Sequence, residues 1–302
     1  MIEDTRSINR VAFIVLALGL AFILLPLVFV VVTATQSYGD FLRNDFSLVP
    51  GTSFFDNLTE VWERTDLPRQ TLNSIIVSAI ASSGRILLAF TTAFAVVFFH
   101  ARYRPIIYAA VLASIMLPIE LMVITAYQVA ANVALPLNAV ANVADLWASL
   151  FGQPLNLQAN MLDTYAGIAV PLMAQGSATL ILVQYFRTIS PDLAKAATID
   201  GAGPLRFMWD MLLPLSKGPL LALGIYMFIG GWTQYMWPLI AASSPDRMVA
   251  VVGLTRLSQG NEDAIANFPV EMTGAILVTL PPLILIALFQ RQIVRNLTIS
   301  EK

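Results

Sequence analysis

The chain has 302 residues, 57% hydrophobic and only 12% charged, with a mean hydropathy of +0.74 and a formal charge of −2. Soluble domains carry roughly 25% charged residues, so a surface this apolar needs lipid to cover much of it. With no cysteine and one histidine, His100, disulfides, zinc–thiolate sites, thiol nucleophiles and histidine-based metal sites are excluded, and the near-neutral charge gives no footprint for nucleic acid.

A bilayer core takes about 20 apolar residues per helix. Six segments qualify, at about 11–35, 74–99, 105–131, 165–186, 219–242 and 272–289, and predict an all-α membrane protein with six transmembrane helices. The first follows Arg6 and Arg10; it is too long for a signal peptide and no small-residue cleavage site follows it, so it is expected to be retained. The second carries Arg85 about mid-way and ends at His100, Arg102, Tyr103 and Arg104, where the histidine reads as interfacial. In the third, Pro118 frees a backbone carbonyl and Glu120 follows it. The fourth holds Gln175, Ser177 and Thr179, and the fifth holds Thr233, Gln234 and Tyr235 between Trp232 and Trp237.

Polar side chains are costly in a bilayer, so these residues are candidates for a solute path. Arg85 and Glu120 have two readings: both face a water-filled path, where a guanidinium fork suits a phosphate, or they form an ion pair between helices. The tryptophans either stack on a glycerol or sugar carbon face or serve as interfacial aromatics.

Six spans put both termini on one side. Eleven basic residues would lie on that side and five on the other, with Arg85 within a span, so the positive-inside rule makes the termini cytoplasmic. The outer segments 36–71 and 132–164 read as loops of mixed composition. Within the second, Leu146, Trp147, Leu150 and Phe151 fit a short interfacial helix.

The inner loop between spans four and five reads differently. Ser190 can cap a helix that Pro191 opens. Leu193, Ala196 and Ala197 form its apolar face, Ile199 prolongs that face, and Gly201 can end it at positive φ. Gly203-Pro204 then opens a second short helix with Leu205, Phe207, Met208 and Met211, expected to stop before Pro214. Such a helix–turn–helix is too polar to span and too apolar to float free; it either docks on a partner or braces the membrane face.

The run A-A-T-I-D-G-A-G-P-L-R-F-M-W-D-M-L-L-P-L in this loop resembles the EAA loop of ABC importer permeases. Ala196, Ala197, Asp200, Gly201, Ala202, Phe207, Leu213 and Pro214 fall at that family's spacing, while Lys195 stands where the family has glutamate. The resemblance implies a coupling loop over 190–214, seated in a groove of a separate ATPase subunit. The segments M-L-P-I-E, M-L-D-T-Y-A-G, L-P-L-S-K and G-W-T-Q-Y-M-W-P-L are similar to the carbohydrate-uptake branch. With the opening M-I-E and closing S-E-K, they are most similar to second permease subunits of glycerol-3-phosphate importers.

The resemblance further implies a bacterial inner-membrane location and no catalytic residues. It also implies three partners: a second homologous permease subunit, an ATPase dimer that binds ATP and Mg, and an extracytoplasmic solute-binding protein. Residues 135–160 look like an insertion into the family's outer loop. The chain itself has no G-x-x-x-x-G-K-[ST]: Lys195, Lys217 and Lys302 are its three lysines, and none follows a glycine. A neutral sugar is the alternative solute. A stand-alone secondary transporter is the rival class, which the docking loop and the absence of an inverted repeat disfavour.

Overall fold

The computed structural model describes residues 5–43, 48–99, 102–116, 119–258 and 266–298. Among these, every regular element is a helix. In chain order they are α1 (Thr5–Thr35), α2 (Tyr38–Arg43), α3 (Phe54–Arg64), α4 (Leu67–Phe98), α5 (Arg104–Met116), α6 (Ile119–Ala131), α7 (Leu135–Ala141) and α8 (Leu146–Phe151). There follow α9 (Tyr165–Met173), α10 (Gly176–Thr188), α11 (Pro191–Ile199), α12 (Pro204–Leu215), α13 (Lys217–Trp232), α14 (Met236–Ala241), α15 (Ala250–Ser258) and α16 (Phe268–Thr298). Among the described residues, three helices are long and apolar enough to cross a membrane, and there are up to six spans if each of three bent helix pairs counts as one.

The chain divides into two compact units, one within Met1–Pro68 and Gly253–Pro281, the other within Arg69–Val252 and Pro282–Lys302. In the first, the C-terminal end of α1 leaves carbonyls without helical partners. Asn57, buried on α3, donates its amide to Ala34 O and Gln36 O at 2.9 Å each, and Thr273 Oγ1 donates to Ala34 O at 3.3 Å. Phe41 packs on Phe268 with ring centroids 5.1 Å apart. Residues 36–71, expected as plain loop, thus contain α2 and α3. The i, i+4 pair Asn57 and Val61 forms the buried stripe of α3.

In the second unit, two expected spans are interrupted. The segment 105–131 holds α5 and α6; Leu117 and Pro118, which separate them in sequence, lie outside the described residues, as does His100. The segment 165–186 breaks at Ala174–Gln175, with α9 and α10 bent by 47°. Pro171 weakens the last turn of α9, having no N–H to donate. The segment 219–242 stops at Trp232 and restarts at Met236, which places Pro238 in the first turn of α14, where a missing N–H costs nothing.

Gly176 opens α10 because the backbones of α5 and α10 meet there: a Cβ would lie 2.6 Å from Val111 O and would also strike Ser114 Oγ. Gly176→Ala should therefore destabilise the protein by about 1–3 kcal/mol, because a backbone carbonyl cannot rotate away. Thermal unfolding in detergent checks this. Gly19→Ala, whose Cβ meets nothing within 4 Å, is the control expected to melt like wild type.

Candidate functional site

The loop 190–214 is built by local capping. Ser190 Oγ accepts from Asp192 N–H at 3.3 Å, with Pro191 in the first helical position. At the other end Gly201 adopts φ 76°, and the Ala202 N–H reaches Ala197 O at 2.8 Å while the Gly201 N–H reaches Thr198 O at 3.1 Å. This pair of bonds is a Schellman cap, which needs a residue tolerant of positive φ at its centre.

The buried face of α11 is Leu193, Ala194 and Ala197, so two expectations are corrected: Ala196 and Ile199 point outward, with Ile199 85% exposed. The helix turns its face at 100° per residue, so the stripe of Leu193, Ala194 and Ala197 that meets the core turns Ala196 and Ile199 away from it. α12 likewise does not stop before Pro214 but runs through it to Leu215. A wide π turn over Met208–Leu212, with Leu213 N–H bonded to Met208 O, alters the register just before the proline, where a regular α-turn would clash.

Phe207 anchors the loop. It is buried in an aromatic cluster, 5.3 Å from the Phe98 ring centroid and 6.4 Å from that of Phe94, both on α4; Phe98 in turn lies 6.1 Å from Phe186 of α10. Lys195 is exposed and pairs with Asp192 at 2.9 Å. Asp200 and Pro214 are exposed, Ala202 is half-buried, and Leu205 and Trp209 join Ile199 as exposed apolar side chains.

The second arrangement is centred on Arg85 of α4, which is only 3% exposed. Its Nε donates to Leu172 O, in the last turn of α9, and its Nη1 to Met227 O of α13 at 3.4 Å. The break at Ala174–Gln175 deprives that last turn of helical donors, and a cation at a helix C-terminus also meets the favourable end of the dipole. Arg85 has no ion-pair partner among the described residues. Glu120 is the second residue of α6, and its side chain lies outside the described residues.

The other path candidates do not share one environment. Thr179 and Trp232 are buried, the latter stacked near Phe228 at 6.2 Å. Gln175 is exposed at the start of α10, and Tyr235 is half-buried. Gln234 is half-buried and donates to Gly230 O at 3.3 Å. Trp237 is a core residue, 1% exposed, whose indole N–H donates to Ile168 O at 2.9 Å.

A family model described as the binding-protein-dependent transport system inner membrane component matches residues 85–299. The chain belongs to that family. The permease is a non-catalytic, multi-pass inner-membrane subunit of a binding-protein-dependent ABC importer; the family has no cofactor, and ATP is hydrolysed by a separate subunit. It is 33% identical to the sn-glycerol-3-phosphate transport system permease protein UgpE of Agrobacterium fabrum and 34% identical to that of Brucella melitensis, over 100% of each chain. The UgpE of Pectobacterium atrosepticum is 32% identical, again over 100% of both chains. Its fold resembles a crystal structure of a bacterial ABC transporter involved in import of the acidic polysaccharide alginate (TM-score 0.70, 18% identity, 96% of this chain and 99% of that one).

The permease also contains a polar latch that sequence reasoning missed. Asp163, at φ 59°, accepts at Oδ1 from Ser243 N–H at 3.1 Å, Ser244 N–H at 3.0 Å and Ser244 Oγ at 3.0 Å. Tyr165 OH donates to Asn73 Oδ1 at 2.7 Å, and Arg247 stacks over the Tyr165 ring at 4.4 Å. Asn73 Nδ2 donates to Asp246 O and Met248 O at 2.9 Å each, and Arg69 pairs with Asp246 at 2.8 Å. The signal available was M-L-D-T-Y-A-G itself, which marks a helix start at Thr164.

The Ser244 backbone N–H foremost, helped by its hydroxyl, Ser243 N–H and Arg247, holds the Asp163 carboxyl below the ordinary carboxylate range. A carboxylate depressed on folding contributes stability above the unfolded-state value and loses it as pH falls through the folded one. Wild type should therefore lose its thermal-stability margin over Asp163→Asn as pH drops below about 4. A margin that stays constant through that range would contradict the latch.

Proposed function

We propose that this permease, with a second homologous permease subunit, forms the path of an ATP-driven importer for glycerol-3-phosphate or its diesters. Similarity over the whole length to three proteins named for glycerol-3-phosphate transport carries this reading. An ATPase dimer seats against the outward face of the coupling loop, where Ile199, Leu205 and Trp209 are exposed beside Lys195, Asp200 and Gly201. Movement of that loop passes through Phe207 to α4 and α10, and α4 carries Arg85. Arg85 serves the path by holding the end of α9, and both termini are cytoplasmic. A solute-binding protein delivers the solute to the opposite face.

The experiment is a calorimetric titration of the binding protein that co-purifies with the importer. Glycerol-3-phosphate or a glycerophosphodiester is expected to bind. Binding of maltose-like sugars, with no heat from either phosphate, would overturn the solute and support a neutral-sugar importer.

A further inference from the structure

We infer that the hairpin over 132–161 is a bilayer anchor whose helix α7 lies along the membrane surface at one end of α6. The inference rests on α6 standing in the bilayer, as in the reading above.

The first observation is direction. After Ala131 the chain turns by 79° into α7. A helix set nearly at right angles to a membrane-crossing one runs along the surface.

The second observation is how the returning extended segment is satisfied. Residues 154–160 form no helix, so their N–H and C=O groups need other partners. Three asparagines supply them at every second residue. Asn142 exchanges bonds with Leu155, Nδ2 to O at 2.9 Å and N–H to Oδ1 at 2.8 Å. Asn138 does the same with Leu157, at 2.8 and 3.0 Å. Asn132 Oδ1 accepts from Ala159 N–H at 3.1 Å, while Ala159 O accepts from Val133 N–H at 2.8 Å. The side-chain amides thus stand in for a neighbouring strand. Irregular backbone needs this where water is scarce, because orphaned polar groups are costly at the hydrocarbon boundary.

The third observation is what remains outside. With the asparagine amides turned to the returning segment, Leu137, Val140, Val143, Leu150 and Phe151 are left largely exposed, Val140 at 72%. On α6, Leu121 and Ile124 are also exposed. Between Gln128 and Leu162 the sole ionisable residue is Asp145. A surface with no lysine or arginine and one carboxylate can enter the headgroup–acyl boundary without burying a row of charges. Trp147 and Phe151, with ring centroids 4.4 Å apart, are aromatics of the kind found on the apolar face of interfacial helices. The occupant is therefore lipid, with the apolar face about 5–10 Å into the headgroup region.

The chain has no native cysteine, so single cysteines can be placed at Leu137 and Val140, with Gln158 of the returning segment as the reference, and labelled with an environment-sensitive fluorophore. The sample is the complete importer in nanodiscs. Labels at 137 and 140 are expected to emit at shorter wavelength than the label at 158. Spin-labelled lipid with a shallow nitroxide should quench them more than a deep nitroxide or aqueous iodide. Three results would overturn the anchor: quenching by iodide alone, protection from both iodide and lipid by the partner permease, or protection that arises only when binding protein is added. ATP-driven uptake by the same preparations tests the permease reading separately.

Discussion

Replacing Gly201 by valine is expected to leave the permease folded in the membrane while abolishing most ATP-driven uptake. Gly201 sits at φ 76°, where a β-branched residue is strained by about 1–3 kcal/mol. Space is not the obstacle, since a Cβ there meets nothing within 4 Å. Relief of the strain must come from the turn, by breaking the Ala202-to-Ala197 and Gly201-to-Thr198 bonds and changing the angle between α11 and α12. Phe207, two turns away from the substitution, keeps α12 fixed in its aromatic cluster, so insertion and melting should change little. What moves is the exposed face that carries Ile199 and Asp200. Co-purification of the ATPase with the variant and uptake by proteoliposomes are the two readouts. Normal ATPase association with normal uptake would contradict the role given to the turn.

The second large effect is at Arg85. Arg85→Leu removes the donor from Leu172 O and from Met227 O, leaving buried carbonyls that cost about 1–3 kcal/mol when unpaired. Melting temperature and uptake are expected to fall together. Arg85→Lys should recover part of both, because an ammonium can reach one carbonyl but cannot bridge helices α9 and α13 as a planar fork does. Direct contact between Arg85 and the solute's phosphate leads to a different pattern: Arg85→Gln would abolish uptake with its melting temperature unchanged. Melting curves beside uptake rates therefore separate a positioning residue from a solute ligand.

The features legible in the sequence are those fixed within a few residues of themselves. Ser190 with Pro191, and Asp200 with Gly201, set the two ends of α11 through local capping, and the structure uses them that way. Long apolar runs announced α1, α4 and α16 because hydropathy summed over 18 residues outweighs any single misfit. Tertiary relationships were not legible. Periodicity places Ala196, Ala197 and Ile199 near one side of α11 but cannot say which edge meets Phe207. The sequence displays the charge of Arg85 but not the carbonyl it serves, which lacks a helical donor only because α9 breaks after Met173. Asn138 and Asn142, four residues apart, fit one face of a helix, but their bonds run to an extended segment whose register the sequence does not state. Asn57 likewise caps the end of α1 through two carbonyls that lie more than twenty residues away in sequence.

The most direct measurement is uptake of labelled glycerol-3-phosphate by proteoliposomes holding the permease, its partner permease and the ATPase, with binding protein outside and ATP within. Uptake should require both ATP and binding protein and should be lost in Gly201→Val. Uptake that continues without ATP, or without the ATPase subunit, would contradict an ATP-driven importer.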